Sequence, residues 1–113
     1  MHIKMETLRG AALVTLEGRF EFDTRNVFKR VIGEIVQNGH RRLILDLQLV
    51  TFLDSAALGL LLLTDQNFKL NKGMVGLVHP TGYVRQVLEL ANIPRVIPVF
   101  DSVHEAVGRF APV

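Results

Sequence analysis

The sequence predicts a single α/β domain, residues 1–113, in which helices connect strands of a partly parallel sheet. Three observations carry that expectation. Short apolar runs of strand length, such as "RLILDL", "MVGLVH" and "VIPVF", alternate with longer segments whose apolar residues recur at helical spacing. Turn and cap signals fall between these segments, at Asn38-Gly39, Asn71-Lys72-Gly73 and Asp101-Ser102. A chain of 113 residues that is 49% hydrophobic and 21% charged can build one core and is too short for two comfortable ones.

In chain order, "HIKMETLRG" and "AALVTLEG" read as two strands that meet at Arg9-Gly10. In the second, Ala12, Val14 and Leu16 form one apolar face by strict alternation. "GRFEFDT" turns the corner, and Asp23 or Thr24 is expected to cap a helix with Val27, Phe28, Val31, Ile32, Ile35 and Val36 on its inner side. Phe20 and Phe22 flank that corner as expected helix-packing anchors. "RLILDL" is a short strand apolar enough to be buried inside a sheet. A helix from about Ser55 to Leu70 follows, with Leu58, Leu61 and Leu62 expected in the core. After the strand "MVGLVH", Pro80 begins a helix through "VRQVLELANI", a position proline favours. "VIPVF" is the last strand, and Asp101 or Ser102 caps a final helix, "VHEAVGRF".

Composition narrows the function classes. The net charge is only +2, and the adjacent basic pairs Lys29-Arg30 and Arg41-Arg42 have no interleaved aromatics, so direct nucleic-acid binding is not expected. With no cysteine there is no disulfide, thiolate metal site or cysteine nucleophile. No histidine pair has ligand spacing and no glycine-rich loop cradles a phosphate, so neither a metal nor a cofactor is expected. "MHIKMETLRG" lacks the apolar core of a signal peptide. Asp46, Asp54 and Asp65 break the longest apolar stretch well short of the roughly 20 residues a membrane span needs. A cytoplasmic protein without membrane insertion is the expectation.

The stretch "TFLDSAALGLLLL", residues 51–63, interrupts an apolar run once, with Asp54-Ser55 at a strand-to-helix turn. Three readings are open. As a cap, a side-chain oxygen from Asp54 or Ser55 satisfies an unpaired N–H of the first turn, worth about 1 kcal/mol. As a nucleophile, Ser55 lacks the glycines of a hydrolase elbow, since Leu53 and Ala57 stand two residues either side, and no histidine is selected as base. As a phosphorylation site, Ser55 would gain about −1.5 to −2 charges, which a helix N-terminus tolerates and an apposed partner surface does not.

The same region resembles the STAS domain, and within it the bacterial anti-sigma factor antagonists. "LILDLQLVTFLDSAALGLLLL" matches a family pattern of strand, polar turn, aromatic, Asp-Ser-(Ser/Thr)-Gly-Leu-Gly and apolar helix. "VTLEGRFEFDT" is similar to the family's second strand and loop, and "HPTGYVRQVLELANIPRVIPVFDSVHEAV" to its third helix, last strand and closing helix. The resemblance implies a STAS fold, a mixed sheet of about five strands with about four helices. It also implies that Ser55 is the phosphorylated serine and Asp54 the acid before it. Ala56 and Ala57 replace the family's Ser/Thr and Gly, and the resulting "DSAALG" looks like the HsbA-type variant. Glu21 stands near a family Asp. With Asp23, Thr24, Asp54, Ser55, Ala56, Ala57 and Leu58 it would form the partner-binding surface.

The mechanism the resemblance implies is partner switching without catalysis. Unphosphorylated antagonist binds an anti-sigma factor that is also a serine protein kinase of histidine-kinase-like ATPase fold. Phosphorylation at Ser55 dismisses it, and a PP2C-type phosphatase restores it. The rival expectation is a STAS subunit of a larger complex, such as a lipid ABC transporter, in which Ser55 is only a helix cap.

Overall fold

Strand β3 (Arg42–Leu53) forms the middle of a five-stranded sheet of order β1-β2-β3-β4-β5. A computed structural model describes residues 1–110, and the last three positions of the expected domain lie outside the described residues. β1 (His2–Leu8) and β2 (Ala11–Phe20) pair antiparallel across a turn at Arg9-Gly10, where both residues have positive φ. The remaining pairs, β2 with β3, β3 with β4 (Met74–Val78), and β4 with β5 (Val99–Phe100), are parallel.

Parallel neighbours need crossover connections, and right-handed crossovers taken in one direction put every connecting helix on the same face. Accordingly α1 (Arg25–Gln37), α2 (Ser55–Leu70) and α3 (Gly82–Leu90) share one core with Ala12, Val14 and Leu16 of β2 and Leu43, Leu45 and Leu47 of β3. The opposite face carries a smaller core, in which Leu13, Ile44 and Val78 meet Ala106, Val107 and Phe110 of α4 (Val103–Phe110). Gly76 of β4 makes that layer possible, because a Cβ there would lie 2.9 Å from the Phe110 ring. Each fully buried Leu or Phe contributes about 1.5–3 kcal/mol of apolar burial, so these two layers supply the main driving force for folding.

The expected α/β architecture is present, with five strands and four α-helices among the described residues, and several boundaries differ for physical reasons. β3 does not stop at Leu47 but runs on through "QLVTFL". Gln48 and Leu49 are exposed in succession, so the alternation breaks there, and β2 follows with register shifts between Thr15 and Glu17 and between Gly18 and Arg19. α3 begins at Gly82, not Pro80, because Thr81 is still extended. It ends at Leu90, where Asn92 takes the left-handed conformation and "IPR" becomes a 3₁₀ turn. β5 shrinks to two residues, since Val96 and Ile97 donate back to the carbonyl of Ile93 and Pro98 has no N–H to donate.

The expected caps and anchors resolve individually. Neither Asp23 nor Thr24 caps α1 through its side chain, because residues Phe22–Thr24 wind into a 3₁₀ turn that leads directly into the helix. Ser102 caps α4, its Oγ accepting from the Glu105 N–H at 3.0 Å. Phe20 is the anchor expected of it, fully buried with its ring 4.7 Å from that of Phe28. Phe22 is exposed instead, under the Arg25 guanidinium at 3.5 Å. Leu61 is core and Leu58 half-buried, but Leu62 turns toward solvent.

Candidate functional site

The far half of β3 projects beyond the end of β4, whose pairing stops at Asp46, and so delivers Asp54-Ser55 to one end of the sheet. β2 remains paired with β3 as far as Phe20–Leu53, which brings the loop after β2 to the same end. Two loops far apart in sequence thus become neighbours.

Asp54 joins them. It is the N-cap of α2, with extended backbone, and its Oδ1 accepts from the Ala57 N–H at 2.9 Å. Its Oδ2 accepts from the backbone N–H of Phe22 at 3.0 Å. One carboxylate therefore caps a helix and pins the neighbouring loop. The Ala57 N–H first, and the Phe22 N–H next, stabilise the ionised form and hold its pKa below the ordinary 3.8. This decides the cap between the two candidates. Ser55 is the first helical residue, exposed, and its hydroxyl makes no hydrogen bond among the described residues.

The loop pinned by Asp54 is ordered from within. The Glu21 N–H donates to Thr24 Oγ1 at 3.0 Å, and the Thr24 N–H donates to the Glu21 carbonyl at 3.0 Å. The Thr24 hydroxyl has the carbonyls of Arg19 and Glu21 within 3.0 and 3.1 Å as acceptors. The Glu21 carboxylate takes Arg19 Nε at 2.7 Å, and the Arg19 guanidinium lies 4.1 Å over the Phe52 ring. On the sheet beyond, the Phe52 ring lies nearly parallel to that of Tyr83, with centroids 6.1 Å apart.

Of the expected partner-binding residues, Glu21, Thr24, Asp54 and Ser55 are brought together by these contacts. Ala56 and Leu58 are half-buried beside them, and Ala57 is buried under the first turn. Asp23 sits on the exposed 3₁₀ turn without a side-chain bond. Arg19 and Tyr83 were not expected in this neighbourhood. Nothing local marks them, because they join it only through the parallel register of β2 with β3 and the packing of α3 on the projecting half of β3.

The arrangement suits a surface that binds or is modified. Of the first-turn amides of α2, that of Ser55 lies beside its hydroxyl, while Ala57 and, more weakly, Ala56 face the Asp54 carboxylate and Leu58 donates to the Asp54 carbonyl. Among the described residues, no three His, Cys, Asp or Glu side chains cluster as a metal site. No helix there is long and apolar enough to cross a membrane.

Comparison with known proteins agrees with this geometry. The family model of the STAS domain matches residues 2–106. The anti-sigma-F factor antagonist RsfB of Mycobacterium tuberculosis is 26% identical over 98 residues, covering 86% of this chain and 79% of its own. Among solved structures, an anti-sigma factor antagonist from Mycobacterium paratuberculosis superposes with a TM-score of 0.88 at 22% identity, covering 96% of this chain and 92% of that one. SpoIIAA, the Bacillus cell fate determinant, matches in two forms. Its unphosphorylated form has a TM-score of 0.72 at 20% identity, over 96% of both chains. Its phosphorylated form has a TM-score of 0.73 at 19% identity, over 96% of this chain and 98% of that one. The antagonists of this family are non-enzymatic regulators. Through a match that takes in both loops and all five strands, the chain belongs to the STAS domain family.

Proposed function

We propose that this chain is an anti-sigma factor antagonist whose binding is switched off by phosphorylation of Ser55. The observation that carries the reading is the division of labour at the turn. Asp54 alone satisfies the cap, which leaves an exposed hydroxyl at the head of α2 with no structural task. A phosphate there would meet the Ser55 amide and the positive end of the helix, so the fold would keep it. That SpoIIAA has been solved in both states, with nearly equal similarity to this chain, supports such tolerance.

A partner would experience the opposite. Its surface, closed over Ala56 and Leu58, would have to desolvate a dianion beside the ionised Asp54. A loss of about 3 kcal/mol weakens a complex more than a hundredfold, enough to dismiss it. The partner is an anti-sigma factor with a histidine-kinase-like ATPase fold that acts as the serine kinase, and a PP2C-type phosphatase reverses the step. In the rival subunit role Ser55 would serve only as a helix cap, a task that Asp54 performs here, and the exposed hydroxyl favours the switch on that point.

The test incubates the purified chain with such an ATPase partner from the same cell, with and without ATP. The unphosphorylated wild type is expected to form a complex that ATP dissolves, and Ser55→Ala one that ATP leaves intact. A complex that forms equally well with Ser55→Asp would refute the switch.

A further inference from the structure

A second feature lies on the helical face, away from Ser55. α1 and α2 each connect parallel strands, so both run opposite to the sheet and parallel with one another. Between them is an open trough of about 420 Å³, within the range of small-molecule sites. Its walls run from Phe28 to Val36 and from Leu60 to Asn71, roughly 12 to 17 Å at the helical rise. The lining is apolar along most of that length, chiefly Phe28, Ile32, Val36, Leu60, Leu63 and Phe68. Thr64 adds no open polar group, because its hydroxyl donates to the Leu60 carbonyl at 2.7 Å.

Gly33 keeps the trough open. A glycine inside a helix costs about 0.5–1 kcal/mol against alanine, and close packing is the usual reason to keep one. Here no neighbouring element occupies the space, for apart from the helix's own backbone and the two flanking residues no described atom lies within 4 Å of where its Cβ would be. Val36 and Leu63 remain 45% and 49% exposed on either side. The charge of the lining is one-sided. Lys29 is its only ionisable residue, it pairs with no carboxylate among the described residues, and the only other polar groups besides Thr64 are the amides Asn67 and Asn71.

We propose that the α1–α2 trough is a binding site for an amphiphilic carboxylate, a medium-chain acyl acid, with its tail over Gly33 and its head at Lys29. An elongated apolar channel with one cation at its edge and no acid complements that ligand in shape and charge.

The test is an amide NMR titration of the intact chain with decanoate below its micelle concentration, with decanol as the neutral control. The proposal expects saturable shifts confined to residues of α1 and α2 that line the trough. Lys29→Glu should weaken decanoate about three- to tenfold while leaving decanol unchanged. Gly33→Leu should fill the trough and abolish binding of both, and its thermal midpoint, equal to or above wild type, would show that the fold is intact. Shifts that do not saturate, equal binding by Gly33→Leu, or a Lys29→Glu effect shared by decanol would overturn it. So would concentration-dependent self-association that protects the trough, which would identify a second copy of the chain as its occupant.

Discussion

Replacing Asp54 with alanine should cost the domain about 2 kcal/mol, from two hydrogen bonds made by one side chain. Loss of the cap on Ala57 accounts for about 1 kcal/mol. Loss of the bond from the Phe22 N–H accounts for about another, taken below the usual range for a charged acceptor because solvent reaches the site. Urea unfolding followed by circular dichroism reads this directly. With a slope of about 1–3 kcal/mol per M, the midpoint should fall by roughly 1 M at unchanged slope. Asp54→Asn separates the two parts. Its single carbonyl oxygen can cap Ala57 or hold Phe22 but not both, so it should lie about midway. Ser55→Ala should stay within about 0.5 kcal/mol of wild type, because the hydroxyl bonds nothing in the fold. If Asp54→Ala unfolds with the wild type, or Ser55→Ala falls as far as Asp54→Ala, the assignment of cap and free hydroxyl is wrong.

The same carboxylate predicts a pH signature. Its folded-state pKa lies below the ordinary 3.8, so its contribution is complete above that value and lost as pH falls through the depressed one. Chemical unfolding as a function of pH should therefore show wild type converging on Asp54→Asn in acid. A gap that is constant with pH would contradict this. In the smaller core, Gly76→Ala should destabilise by about 1–3 kcal/mol, because its Cβ would press on the buried Phe110 and Phe100 rings, and thermal unfolding measures it. Phe20→Ala should cost about 3–5 kcal/mol by opening a cavity beside Phe28, which the same unfolding experiment detects.

Much of this architecture was legible wherever one residue pattern had one outcome. The alternation of Ala12, Val14 and Leu16, the helical spacing of Val27 to Val36 and the run "RLILDL" each pointed to the element observed. The misjudged boundaries share a cause, which is that tertiary partners decided them. "QLVTFL" lacks clean alternation because β3 leaves β4 and stays paired only with β2, so Gln48 and Leu49 both face solvent. Thr24 carries the composition of a cap but spends its hydroxyl inside the preceding turn. The site was half legible. The spacing of "DSAALG" located the turn, and the choice between Asp54 and Ser55 as cap required the positions of Ala57 and Phe22. Arg19 and Tyr83 reach the site through long-range register and packing, which no local pattern encodes.

The central claim is that Ser55 is a used phosphate acceptor, and intact mass spectrometry of the chain from its native host tests it most directly. Wild type should contain a fraction carrying one phosphate, Ser55→Ala should contain none, and the fraction should shift with growth condition. Wild-type chain that stays unmodified under every condition, or Ser55→Ala that still carries the phosphate, would contradict the account.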